Sequence, residues 1–216
     1  MATSFKWRMA QKLELKWWQN YLGKKDVQTY LEWKRQYWLD FLSALQDTVQ
    51  IPSSDSVLDA GCGPAGVFTV IDAQNVVAVD PLLEAYEQNL DHFSRAMYPQ
   101  VQFETSSIEM YRPAIPFDIV FCLNAINHVA DIELAFDKLF DWLKPQGQLI
   151  VSIDSHNYKF LKTIFRWIPG DALHPHQYDL EDYRKFITDR NGEILQEVNS
   201  KPGNIFDYWV LVVRKK

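Results

Sequence analysis

Three glycines, Gly61, Gly63 and Gly66, follow an apolar run in "VLDAGCGPAGVF" with the spacing G-x-G-x-x-G. Between a strand and a helix, this spacing lets the first glycine turn tightly and the second bring backbone close to a ligand. The third lets the helix sit close to its strand. Two carboxylates bracket the turn. Asp80 closes "VVAVDP", where a carboxylate can accept both hydroxyls of a ribose. Asp59 stands two residues before Gly61; its charge repels a pyrophosphate and suits a ligand that carries positive charge. A nicotinamide dinucleotide accounts for the glycines and not for Asp59. An adenosine without phosphate, bearing a cationic tail, accounts for both.

Proton-transfer chemistry has two candidate locations. Asn124, Asn127 and His128 follow the apolar run "FDIVFCLN". Further on, "SIDSHNYKF" offers Asp154 and His156, and "WIPGDALHPHQYD" offers Asp171, His174 and His176. Imidazole takes a proton near neutral pH, so His128, His174 and His176 are candidate bases. Each serves equally well as a loop cap. Two histidines at i, i+2 with scattered acids do not make a metal set, and none is expected. Cys62 and Cys122 match neither a disulfide framework nor a zinc pattern. Cys62 reads as a small turn residue offering its backbone amide, and Cys122 as core.

The elements that position these groups are legible in the pattern. A chain of 216 residues, 47% hydrophobic, buries a substantial core in one globular unit with an appendage. Five of eight tryptophans lie in the first 38 residues. There Ala10, Leu13, Trp17 and Tyr21 recur at helical spacing, and Gly23 ends that helix. Asp26 caps a second helix, "VQTYLEWKRQYWLDFLSALQ". It carries one stripe of Val27, Leu31, Trp38, Leu42 and Leu45, and a neighbouring stripe of Tyr30, Trp33, Tyr37 and Phe41. From Val57 the pattern alternates. Strands are expected at "SVLDAG", "VVAVDP", "VQFETSS", "PFDIVFCLN" and "QLIVSID". Helices are expected over about 64–73, over "LLEAYEQNLDHFSRAM" and over "DIELAFDKLFDWLK". Asp179 caps a last helix, stopped by Asn191-Gly192, and "GEILQEVNS" and "FDYWVLVVRKK" close an antiparallel hairpin. Alternating strands and helices imply a parallel, doubly wound α/β sheet.

Residues 57–154 resemble a class I S-adenosylmethionine (SAM)-dependent methyltransferase. "VLDAGCGPAG" matches the first motif, "VVAVDP" the acidic end of the second strand, "FDIVFCLNAINHVAD" the fourth strand and its loop, and "LKPQGQLIVSID" the turn into the fifth. The resemblance implies a Rossmann-like, mostly parallel seven-stranded sheet in the order 3-2-1-4-5-7-6 with strand 7 antiparallel. It implies an N-terminal helical cap, residues 1–48, on a SAM-binding domain, residues 49–216. It also implies that Asp59 and the turn Gly61, Cys62, Gly63 and Gly66 face the methionine moiety. Asp80, with Pro81 beside it, holds the ribose; Ser107 and Ile108 meet the adenine; Leu123 and Asn124 line the cofactor beyond the fourth strand. Serine at 107 stands where the family often has an acidic residue. The chain reads "LNAINH" where amine-modifying nucleic-acid and glutamine enzymes carry Asn/Asp-Pro-Pro-aromatic, which disfavours those substrates.

The implied function is methyl transfer to a small-molecule acceptor at oxygen or nitrogen, leaving S-adenosylhomocysteine (SAH). Tyr30, Trp33 and Tyr37 are expected to face the acceptor from the leader, with Asn127 and His156 beside it. The leader reads equally as core cover or a dimer contact, in a monomer or homodimer. The competing readings are a non-catalytic scaffold on the same fold and, behind it, a nicotinamide-dependent oxidoreductase. A net charge of −6 disfavours nucleic acid as partner. The absence of a long apolar run or a signal-peptide core makes a cytoplasmic protein without a membrane span the expectation.

Overall fold

The computed structural model describes residues 5–156, 178–201 and 206–216. Two leader helices, α1 (Phe5–Leu22) and α2 (Val27–Ala44), precede seven strands: β1 (Ser56–Ala60), β2 (Asn75–Val79), β3 (Val101–Glu104), β4 (Phe117–Cys122), β5 (Leu143–His156), β6 (Gly192–Lys201) and β7 (Phe206–Lys215). Helices α3 (Leu83–Asn89), α4 (Ile132–Asp141) and α5 (Leu180–Thr188) lie between strands. The sheet order is β3-β2-β1-β4-β5-β7-β6, with β7 antiparallel to both neighbours. Strands β1 to β5 run parallel, the register set by pairs such as Leu58–Val77 and Leu58–Val120. Order and direction match the expectation.

Every residue of β1 is buried, as a central parallel strand requires. The pleat then sorts neighbours to opposite faces. Leu58, Ala60, Val120, Cys122 and Leu149 pack with Phe136 and Leu139 of α4 and Tyr183 and Ile187 of α5. Val57, Val76, Ala78, Phe121 and Ile150 pack with Leu83 and Tyr86 of α3 and with Leu22, Tyr30, Trp38 and Leu45 of the leader. The leader therefore shares a core with the sheet. Asp26 fixes the start of α2 by accepting hydrogen bonds from the Thr29 amide at 2.9 Å and hydroxyl at 2.8 Å. Trp38 Nε1 fixes its rotation by donating to the Ala65 carbonyl at 2.9 Å.

Two expected helices are shorter. Residues 64–73 hold only a 3-10 turn, Val67–Thr69. Tertiary partners take the groups a helix needs: Asp59 accepts the Phe68 amide at 3.0 Å, and Trp38 takes the Ala65 carbonyl. The helix expected to continue to Met97 stops at Asn89, whose Nδ2 donates back to the Ala85 carbonyl at 2.8 Å. Ser94 then starts a separate turn over Arg95–Met97. Among the described residues no helix is long and apolar enough to cross a membrane.

Candidate active site

The carboxyl ends of β1, β2 and β4 meet where the strand order reverses, the place open α/β sheets bind ligands. A cavity of about 480 Å³ opens there, within the usual size of a small-molecule site.

The glycine turn forms one wall. Gly61 and Gly63 adopt φ of 73° and 59°, a region that favours glycine. A Cβ on Gly61 would collide with the Cβ of Ala125, and one on Gly66 with the Asp59 carboxylate. A Cβ on Gly63 would meet only the Trp18 ring at 3.7 Å, so its backbone is bare toward the cavity. The amides of Gly61 and Cys62 both donate to the Val79 carbonyl, at 2.7 and 3.1 Å, and the Gly63 amide donates to Asp80 Oδ2 at 2.9 Å. The amide of Cys62, expected to be available to a ligand, therefore holds the turn to β2. Burial pushes both thiols up, so neither is suited to be a nucleophile.

Asp80 and Pro81 line the cavity beside the turn. Asp80 Oδ1 accepts the Leu82 amide at 2.8 Å, leaving each carboxylate oxygen a second lone pair. Ser107 and Ile108 form the next wall. Glu109, which the sequence reading passed over, ties the loop after β3 to the loop after β4: its Oε1 accepts the Ala130 amide at 2.7 Å. Leu123, Asn124 and His128 close the far side. Asn124 takes a left-handed φ of 55°, and its amide donates to Ser152 Oγ at 2.7 Å.

Asp59 and Gly66 are not among the residues lining the cavity. Asp59, 2% exposed, lies behind the turn and organises it through Phe68. Asn127 is buried and accepts the Tyr183 hydroxyl at 2.5 Å, again behind the wall. His174 and His176, with Asp171, lie outside the described residues, as do the side chains of His156 and Asp154.

The leader contributes through other residues than Tyr30, Trp33 and Tyr37. Tyr30 is buried between Tyr21 and His92, Trp33 is exposed, and Tyr37 packs edge-on against Trp38. The Trp38–Ala65 bond turns the adjacent row of α2, Lys34 and Trp38, to the cavity instead. Helix α1 supplies Trp7, Gln11, Glu14 and Trp18. A helix rotated by one residue, about 100°, from the expected face is the reason, and Trp38 at a core-type spacing was the available signal.

Three carboxylates dominate the local field. Burial, reinforced by Glu14, pushes Asp80 up to about 7 against its two amide bonds. Burial also raises Glu14, although hydrogen bonds from Trp18 and Tyr86 oppose it. Asp59 is pushed up to about 7 by burial, with Asp80 adding to it. Gln11 Oε1 is buried with no hydrogen-bond partner among the described residues. The lining carries the carboxylates of Glu14, Asp80 and Glu109 against the single cation of Lys34, and this net negative wall fits a ligand rich in donors or positive charge. SAM, with a ribose diol, an ammonium and a sulfonium, matches it; a pyrophosphate does not. Among the described residues no group of histidines, cysteines and carboxylates is placed to hold a metal.

The sequence matches a methyltransferase-domain family over residues 30–197. A ubiquinone biosynthesis O-methyltransferase of Nitrobacter winogradskyi is 30% identical over 143 residues, 61% of this chain and 51% of that protein. The chain spans about half the length of such curated relatives. The N-methyltransferase NodS of Bradyrhizobium japonicum, solved with SAH, superposes with a TM-score of 0.61 at 15% identity, over 98% of this chain and 99% of its own. The magnesium protoporphyrin IX methyltransferase of Synechocystis, solved with SAM, gives 0.64 at 16% identity, over the whole of both chains. With its sheet order, its glycine turn buttressed by Asp80 and a family match over most of its length, the chain belongs to the class I SAM-dependent methyltransferases.

Proposed function

We propose that this protein transfers a methyl group from SAM to oxygen or nitrogen of a flat, largely apolar small molecule. One observation carries the reading: the bare backbone of Gly63, the Asp80 carboxylate and the Ser107–Ile108 wall border a single cavity. In this reading Asp80 accepts from the ribose hydroxyls, Glu14 and Gln11 add acceptors from α1, and Ser107 and Ile108 hold the adenine. Leu123 and Asn124 lie along the cofactor, and Asp59 and Gly66 keep the turn in shape. Residues 1–48 act as a helical cap on the SAM-binding unit, 49–216.

Bound there, SAM supplies a methyl carbon already activated by its sulfonium. The chain's own part is alignment and exclusion of water, to which Trp7, Trp17 and Trp18 of α1 contribute. His128, half-buried at the far wall, is placed to take a proton from a hydroxyl or ammonium acceptor. The curated relatives are named O-methyltransferases, which supports oxygen. Cytoplasmic localisation belongs to the same reading.

Calorimetry with SAM, SAH and NADH tests the cofactor. SAM and SAH should bind and NADH should not; retention of NADH alone overturns the reading. Release of SAH with a panel of phenols, catechols and amines then separates an enzyme from a scaffold.

A further inference from the structure

The inner face of α1 walls the cavity, and its outer face is equally organised. Met9, Leu13 and Trp17 form one row at i, i+4 spacing and are 40%, 42% and 51% exposed. The row immediately beside it is Arg8, Lys12 and Lys16, all exposed. Successive residues lie about 100° apart on a helix, so the two rows run side by side. Trp17 stacks on Tyr21 at 5.0 Å, and the exposed Trp33 of α2 is joined to Tyr21 beneath the surface through the buried Tyr30.

Charge distinguishes this face from the rest of the molecule. Residues 1–25 hold six basic side chains and one carboxylate, in a chain whose net charge is −6. That one carboxylate, Glu14, faces the cavity. An apolar row with tryptophan, flanked by lysine and arginine on an otherwise acidic body, has the character of an interfacial helix. The acidic remainder is repelled by an anionic surface and turns the leader toward it. A second copy is a poor occupant, because a two-fold contact through this face sets the Arg8–Lys16 rows of both protomers near each other.

We propose that α1 docks this protein peripherally on an anionic lipid bilayer, with Met9, Leu13 and Trp17 in the headgroup region and Arg8, Lys12 and Lys16 on the lipid phosphates. Trp17 also stands at the rim of the cavity. Docking therefore brings the cavity mouth to the membrane surface, where a lipid-soluble acceptor is concentrated. Attachment itself needs neither SAM nor turnover, so it can fail or hold independently of the methyl-transfer reading.

Vesicle co-sedimentation without cofactor tests it. The protein should pellet with phosphatidylcholine–phosphatidylglycerol vesicles, pellet much less with phosphatidylcholine alone, and be released in about 1 M salt, where charges are screened within about 3 Å. Lys12→Glu with Lys16→Glu should lower partitioning by roughly thirtyfold or more. Met9→Ser with Leu13→Ser should lower it about as strongly, with the melting temperature of both variants near wild type. Equal sedimentation with neutral and anionic vesicles, or wild-type sedimentation of the Met9–Leu13 variant, overturns the proposal. So does a lipid-free dimer, seen by analytical ultracentrifugation, that the same two serines dissolve, since it assigns the face to a second copy.

Discussion

Asp80 Oδ2 accepts the Gly63 amide at 2.9 Å, so the carboxylate at the end of β2 holds the turn at the end of β1. The group proposed as a ligand for ribose is also a buttress of the loop proposed to meet the other end of the cofactor. Asp80→Ala should remove both functions, costing about 3 kcal/mol of SAM binding, roughly a hundredfold in Kd by calorimetry. Asp80→Asn, which keeps an acceptor for one amide, should lose roughly tenfold. Unchanged affinity in a folded Asp80→Ala protein removes the assignment.

Gly63→Val places a branched side chain in the cavity at a φ of 59°. SAM should no longer raise the melting temperature, while the transition stays cooperative, because the Trp18 ring at 3.7 Å is the nearest atom group it meets. The backbone strain should lower stability by about 1–2 kcal/mol. Protection by SAM equal to that of wild type places the cofactor elsewhere.

Asp59 and Asp80 are pushed up to about 7 in the folded protein, from an ordinary carboxylate value of 3.8. Between these values the native state holds more protons than the unfolded chain, so stability falls as pH rises from about 4 to about 7. Melting of the ligand-free protein should therefore occur at a higher temperature at pH 5.5 than at pH 7.5, and Asp59→Asn should flatten that slope. SAM affinity should run the other way, tightening as Asp80 ionises near pH 7. Glu14→Gln removes a repelling neighbour and should move that midpoint to lower pH.

His128→Ala should lose turnover by about 10²-fold or more and keep SAM affinity, if the acceptor must give up a proton to the protein. Initial rates and calorimetry on one preparation separate the two quantities. Near-normal turnover indicates an acceptor that needs no base at this position.

Deleting residues 1–48 should unfold the protein, rather than leave a half-site with residual SAM affinity. Leu22, Tyr30, Trp38 and Leu45 are at most 4% exposed in the cluster that includes Val57, Phe68 and Tyr86. Circular dichroism of the truncated chain is the measurement. A cooperative melt of residues 49–216 would show that the sheet carries its own core.

The sequence by itself determined the alternation of strands and helices, the antiparallel end of the sheet and the positions of Asp80, Gly61 and Gly63. These rest on short-range rules: strand period, glycine at positive φ, and a carboxylate at a strand end. It also showed that the leader was helical and aromatic. Only the tertiary structure decided which way the leader faces. A helix with two adjoining apolar stripes has no internal reason to present one of them, and the hydrogen bond from Trp38 to Ala65 settles it across 27 residues. The same long-range contacts hold 64–73 out of helix, and Asp59 accepts the Phe68 amide from behind the turn. They also set Gln11 and Glu14 opposite Asp80, because packing of α1 on α3 is invisible to any local pattern.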